Sequence, residues 1–262
     1  MGNMWDASAF VGDWPFRRLP DSATGSLEAR LRREGFRRAF VSPLAGLFHI
    51  DPQPANAEWG CRLKESAFFR FVPVINPTLP GWERSLDACR ARCSAVAVRV
   101  FPNYHGYRPA CDAVHALAQA TVELSLPLFI QLRMQDMRSM HPRAVIPDVD
   151  WHEVLLLARA CPHTTLVVAG ANWSEASRIR EEDLPNLHLV NSHMESLDGL
   201  RRFVDRFGVE RLLLGTHAPL FTPTSARLKV EMASLTPQQR HAIVEGNARQ
   251  LFRSADAAEE RG

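Results

Sequence analysis

The chain is expected to fold as an α/β protein, a single (β/α)8 barrel, and three observations predict it. Strand-like and helix-like segments alternate eight times along the sequence, as a parallel sheet with helical crossovers requires. Several strand candidates, among them Leu166-Val167-Val168 and Leu212-Leu213-Leu214, are short unbroken apolar runs, the kind buried on both faces of a sheet. The length of 262 residues suits one barrel of roughly 250 residues.

In chain order, the strands are expected at Met4–Phe10, Arg38–Ser42, Phe69–Asn76, Ala95–Phe101, Pro127–Leu132, Thr165–Gly170, Leu187–Asn191 and Leu212–Thr216. Each is short, apolar and bounded by polar or turn-forming residues. The helices between them are expected at Ser26–Arg33, Ala55–Ser66, Trp82–Arg92, Pro109–Leu124, Trp151–Ala160, Glu175–Arg180, Leu197–Phe207 and Pro237–Leu251. The fourth shows the pattern best: Val114, Leu117, Ala118, Thr121 and Val122 recur at three- and four-residue spacing. Asp198 stands where it can cap the seventh, and Gly208 follows its end. Residues 1–253 form one domain, and the Ala-, Glu-, Asp- and Arg-rich stretch 254–262 is expected to be a flexible tail.

Composition narrows the function classes. A hydrophobic fraction of 46% fills a core, and a net charge of +2 argues against a nucleic-acid face. Cys61, Cys89, Cys93, Cys111 and Cys161 form an odd set without C-x-x-C spacing, which fits a reducing compartment. No apolar stretch reaches the ~20 residues of a membrane span, so a cytoplasmic protein, free of membrane contacts, is expected.

In such barrels chemistry collects at the C-terminal ends of the strands. Those ends carry Asn76, Arg99, Asn103, His105, Gln131, Arg133, Asn191, His193 and His217. Residues two apart on a strand share a face, which groups Ser8 with Phe10, Gln131 with Arg133, and Gly215 with His217. Amides, guanidinium groups and imidazoles outnumber carboxylates there. The expected partner is therefore a small anionic molecule, held by Arg99, Gln131, Arg133, Asn76, Asn103 and His105. Arg17, from the loop after the first strand, reaches in. His217 and His193 are the acid–base candidates.

Two segments carry a resemblance: Asp6-Ala7-Ser8-Ala9-Phe10-Val11-Gly12 at the start and Leu214-Gly215-Thr216-His217-Ala218-Pro219 near the end. With Val74-Ile75-Asn76-Pro77, Val98-Arg99-Val100-Phe101-Pro102-Asn103 and Gly246-Asn247-Ala248-Arg249-Gln250-Leu251, they are similar to the amidohydrolase-related barrels. The resemblance implies metal-binding histidines at the positions of Ser8, Phe10, Gln131 and Gly170, and a catalytic aspartate at that of His217. All five are substituted. A zinc site needs at least three N, O or S ligands, so no metal and no other cofactor is expected.

The resemblance then implies a metal-independent hydrolase of a small carboxylate-bearing lactone or ester, with imidazole handling the proton. Two alternatives stand beside it. One is a catalytically silent barrel that binds a small molecule or a protein. The other is a hydrolase or decarboxylase whose metal, zinc being the fallback, has moved to His193, Glu195, His217, His49 or His105. A homo-oligomer is compatible with all three.

Overall fold

A computed structural model describes residues 3–179, 184–196 and 198–252. Eight parallel strands alternate with helices, in the order β1 (Met4–Val11), α1 (Thr24–Arg33), β2 (Phe36–Pro43), α2 (Ala45–Phe48), α3 (Gln53–Leu63), β3 (Phe69–Phe71), α4 (Trp82–Cys93), β4 (Val98–Val100), α5 (Pro102–His105), α6 (Asp112–Glu123), β5 (Leu128–Gln131), α7 (Trp151–Ala160), β6 (Leu166–Ala169), α8 (Trp173–Ala176), β7 (Leu187–Val190), α9 (Gly199–Phe207), β8 (Leu212–Leu213), α10 (Pro223–Met232), α11 (Pro237–His241) and α12 (Asn247–Leu251). Regular ladders run β1-β2-β3 and β4-β5-β6-β7-β8.

Single backbone bonds join the two sheets at both seams. Between the third and fourth strands, Arg99 N donates to Pro73 O and Ile75 N to Arg99 O. Between the last and first, Ala7 N donates to Leu214 O, His217 N to Ser8 O and Phe10 N to Ala218 O. The fold is the (β/α)8 barrel that the sequence predicts.

The third, fourth and eighth strands are markedly shorter than expected, the third and eighth for identifiable reasons. Pro73, inside the third, has no N–H to give to a ladder. Past β8, the ladder donors are diverted to side chains: Gly215 N to Asn191 Oδ1 and Thr216 N to Asp6 Oδ1. Helix α10 was not foreseen, and the last expected helix is interrupted by a wide π-type turn at Ala242–Gly246. Asp198 does not cap α9 with its side chain; its backbone is left-handed there (φ 54°). The expected positions at Arg180, Leu197 and 254–262 lie outside the described residues.

The core has three layers. Between sheet and helices lie residues such as Leu31, Val41, Val98, Leu128, Val168 and Leu189. Inside the ring, Phe40, Phe129, Val167 and Leu213 meet Ala248 and Phe252, which come up from below. The Phe252 ring stacks on Phe40 with centroids 4.0 Å apart. The third layer, with Phe10, Phe101, Leu44, Val74 and Met134, fills the upper end. No helix among the described residues is long and apolar enough to cross a membrane.

Candidate functional site

Arg99, on β4, lies inside the ring without exposed surface. Its Nη1 donates to Gln131 Oε1 at 2.6 Å and its Nη2 to Ser8 Oγ at 3.0 Å. The guanidinium also lies 4.7 Å from the Phe10 ring centroid and 4.8 Å from that of Phe129, within cation–π range. Three of the five substituted positions, Ser8, Phe10 and Gln131, thus hold one organic cation. Burial pushes Arg99 down to about 9. It also pushes the neighbouring Asp6 up to about 6, although Thr216 and Ser8 donate to its carboxylate.

His217 and His193 meet just above this cation. Their rings lie 4.8 Å apart, edge to face, and Phe221 packs against both at 4.8 Å. His217 is fully buried and in the left-handed region (φ 58°), an unusual conformation for a side-chain-bearing residue. Its own N–H bond to Ser8 O, at 2.9 Å, holds it there. Gly215, two residues earlier, permits the approach: a Cβ there would meet Val190 Cγ1 at 2.2 Å.

His217 Nε2 lies 2.7 Å from Met134 O. A carbonyl only accepts, so Nε2 carries the proton and Nδ1 offers a lone pair. That Nδ1 is buried without a partner, and so is His193 Nε2. Burial pushes His217 down to about 3 and His193 well below the ordinary imidazole range, the latter helped by His217 and Arg133. Both rings are neutral.

The other expected binding residues are occupied elsewhere. Arg133 pairs with Asp148 at 2.7 Å, with Glu175, and with Gly170 O. Gly170 tolerates this because its backbone is left-handed (φ 92°) and a Cβ would press on the Arg133 backbone at 3.1 Å. Asn76 donates to Ile50 O, Asn103 to Leu132 O and Pro147 O, and His105 Nε2 lies 3.0 Å from Gly46 O. These three tie loops together. Arg17 is exposed and donates to Leu220 O at 3.0 Å rather than entering the ring.

The carboxylates expected to be scarce do arrive, but as partners of Arg133. Glu175, which its place at the head of a charge run suggests is solvated, instead turns inward to Arg133, and its spacing from Asn172 is a helix-capping signal. Asn172 Oδ1 accepts from Glu175 N, and Glu175 Oε2 from Asn172 N. Asp148, and the Met134 carbonyl that fixes the His217 tautomer, left no signal.

Solved structures share this fold along nearly the whole chain. The 2,6-dihydroxybenzoate decarboxylase from Rhizobium superposes with a TM-score of 0.77 at 15% identity, covering 97% of this chain and 99% of the other. The 5-carboxyvanillate decarboxylase from Sphingomonas paucimobilis gives 0.77 at 14%, with the same coverage. A dihydroxybenzoic acid decarboxylase from Polaromonas, holding manganese and the inhibitor 2-nitroresorcinol, gives 0.70 at 16%, covering 97% of each chain. No curated protein matches this chain in sequence.

The manganese overturns the expectation of a barrel without a cofactor: a divalent metal is the group this fold implies. The side chains here do not assemble the usual cradle for one. Among the described residues no three His, Cys, Asp or Glu groups converge as a metal site. The two unpartnered imidazole nitrogens are one donor short of the minimum. Of the residues considered for a moved site, Glu195 is largely exposed and faces Lys229 at 3.9 Å, while His105 is bound to Gly46.

The sequence matches the Amidohydrolase family over residues 55–254, more than half its length, and the chain belongs to that family.

Proposed function

We propose that the chain is an enzyme acting on a small aromatic carboxylate at the barrel mouth, with His193 and His217 handling the proton. The observation that carries this reading is the pair of unpartnered ring nitrogens, His193 Nε2 and His217 Nδ1, on touching imidazoles. Leaving a buried polar atom unpaired costs about 1–3 kcal/mol. Two such atoms side by side point to a missing polar partner.

The surroundings favour decarboxylation over lactone or ester hydrolysis. Hydrolysis needs a water activated beside an imidazole, whereas Phe10, Phe101, Trp14, Phe48, Tyr104 and Phe221 make this end of the barrel apolar and aromatic. Such a wall stacks on an aromatic ring and destabilises a carboxylate relative to the carbon dioxide it becomes. In the reaction a proton adds to the ring carbon bearing the carboxylate. The carbon–carbon bond then breaks, carbon dioxide leaves, and the bonding pair stays with the ring. His217 Nδ1, a lone-pair donor as it stands, accepts a hydrogen bond from a ring hydroxyl. His193 Nε2 takes the proton of the substrate's carboxylic acid form and hands it to the ring carbon that bears the carboxylate. The decarboxylase barrels of similar fold lend this reading support.

A second reading, a silent barrel that only binds, is favoured by the engagement of both terminal nitrogens of Arg99 and of all three Arg133 nitrogens within the protein. Carbon dioxide release from a panel of hydroxybenzoates, measured with manganese supplied and with chelator, separates the two. Turnover is expected, and His193→Gln is expected to lower kcat by about 10²–10⁴-fold, the usual share of a general acid or base. An inert wild-type protein under both conditions would favour the silent barrel.

A further inference from the structure

A cavity of about 200 Å³ opens at the rim beside the seam, outside the ring that holds the imidazoles. Its wall carries three guanidinium groups, Arg17, Arg18 and Arg30, against one carboxylate, Asp21. Arg30 is already paired with Asp21 at 3.3 Å and donates to Thr222 Oγ1 at 3.0 Å. Two positive charges are therefore left over. Arg17 is steered by its bond to Leu220 O, which uses only one of its donors. Arg18 is exposed and makes no ion pair or hydrogen bond among the described residues.

A second source of positive potential reaches the same place. Helix α10 begins at the cavity edge with Thr222 and Pro223, and no side chain caps its first turn. Pro223 has no N–H and Ser225 N donates to Thr222 O, so the helix end contributes its dipole and the N–H of Thr224 alone. The rest of the lining is apolar, with Leu19, Leu27, Pro219 and Leu220.

We infer that this rim cavity is a binding site for a small carboxylate with an apolar body, clamped by Arg17 and Arg18. The ligand class follows from the lining. A guanidinium fork matches a carboxylate with two parallel hydrogen bonds, and the leucine and proline side chains offer nothing to the remaining oxygens of a phosphate. The volume limits the body to about one ring, since sites for drug-sized ligands run from roughly 300 to 1,000 Å³. The site stands independently of any turnover at the imidazoles. It does lie next to them: Leu220, whose carbonyl Arg17 grips, precedes the Phe221 ring that covers both.

Calorimetric titration of the whole protein with benzoate and with inorganic phosphate tests this. Saturable benzoate binding is expected, weakening as salt rises because the arginines are exposed. Arg18→Gln is expected to weaken it about tenfold and the Arg17→Gln/Arg18→Gln pair further. Arg92→Gln, on the remote helix α4, should leave it unchanged. Three outcomes would overturn the inference: no saturable benzoate binding, phosphate binding tighter than benzoate, or undiminished affinity in the double variant, which would move the ligand to the imidazoles. Binding at the rim without decarboxylation would leave this site standing while removing the proposed reaction.

Discussion

Arg99 shows how a barrel interior accommodates a charge. Removed from water, a guanidinium is costly unless its surroundings replace hydration, and here Gln131, Ser8 and two aromatic faces do so. Truncation to alanine opens a void between Phe10 and Phe129 and strands two polar side chains. Arg99→Ala is therefore expected to lose about 3–5 kcal/mol in urea unfolding, the sum of a large-to-small cavity and two unpaired polar groups. Arg99→Met, which fills most of the volume without the charge, should lose less than half as much. Equal losses would show that the hydrogen bonds, not the filled volume, dominate. The candidate residues could be gathered as a set, because strand-end position and residue type can be read from order alone. Which of them were free was not legible. That Arg133 is consumed by Asp148 and Glu175 depends on loops folding back over the strand ends, and no local pattern announces it.

At the level of elements, the end of the chain acts on the barrel from below. Asn247 Nδ2 donates to Val209 O at 2.7 Å and Leu212 O at 2.8 Å, which fixes the first residue of α12 to the start of β8. Ala248, the next residue, and Phe252, just over a turn later, enter the ring. The Gly246–Leu251 motif, which carried part of the family resemblance, is thus a closure device. Asn247→Ala is expected to cost about 1–3 kcal/mol, the penalty of leaving buried carbonyls unpaired. Hydrogen exchange should show the faster opening confined to β8, α12 and their contacts; uniform acceleration would contradict the local role. The strands and most helices were readable from apolar runs and caps. The shortening of the third and eighth strands was not, because it comes from a missing proline donor and from side chains that intercept backbone donors.

For the whole molecule, the buried titratable groups set a pH response whose sign can be worked out. Three imidazoles are pushed down chiefly by burial: His217 to about 3, His188 to about 4, and His193 well below its ordinary range. In the unfolded chain each takes up a proton near pH 6.5. Between that pH and their folded values the unfolded state holds more protons, so stability is full above 6.5 and falls as the pH drops. Asp6 works the other way. Raised to about 6 by burial, it keeps a proton in the fold that the unfolded chain releases above about 3.8, so it contributes stability at low pH that is lost as the pH rises through 6. Between pH 4 and 6 three groups destabilise on acidification and one stabilises, so the net slope is toward unfolding in acid. The midpoint of thermal unfolding is expected to fall steadily from pH 7 to pH 4.5. Asp6→Asn, which removes the opposing group, should make that fall steeper, and a His188→Gln variant should make it shallower. A midpoint unchanged over this range would mean that the imidazoles reach water in the folded protein, and that the mouth stands open in solution.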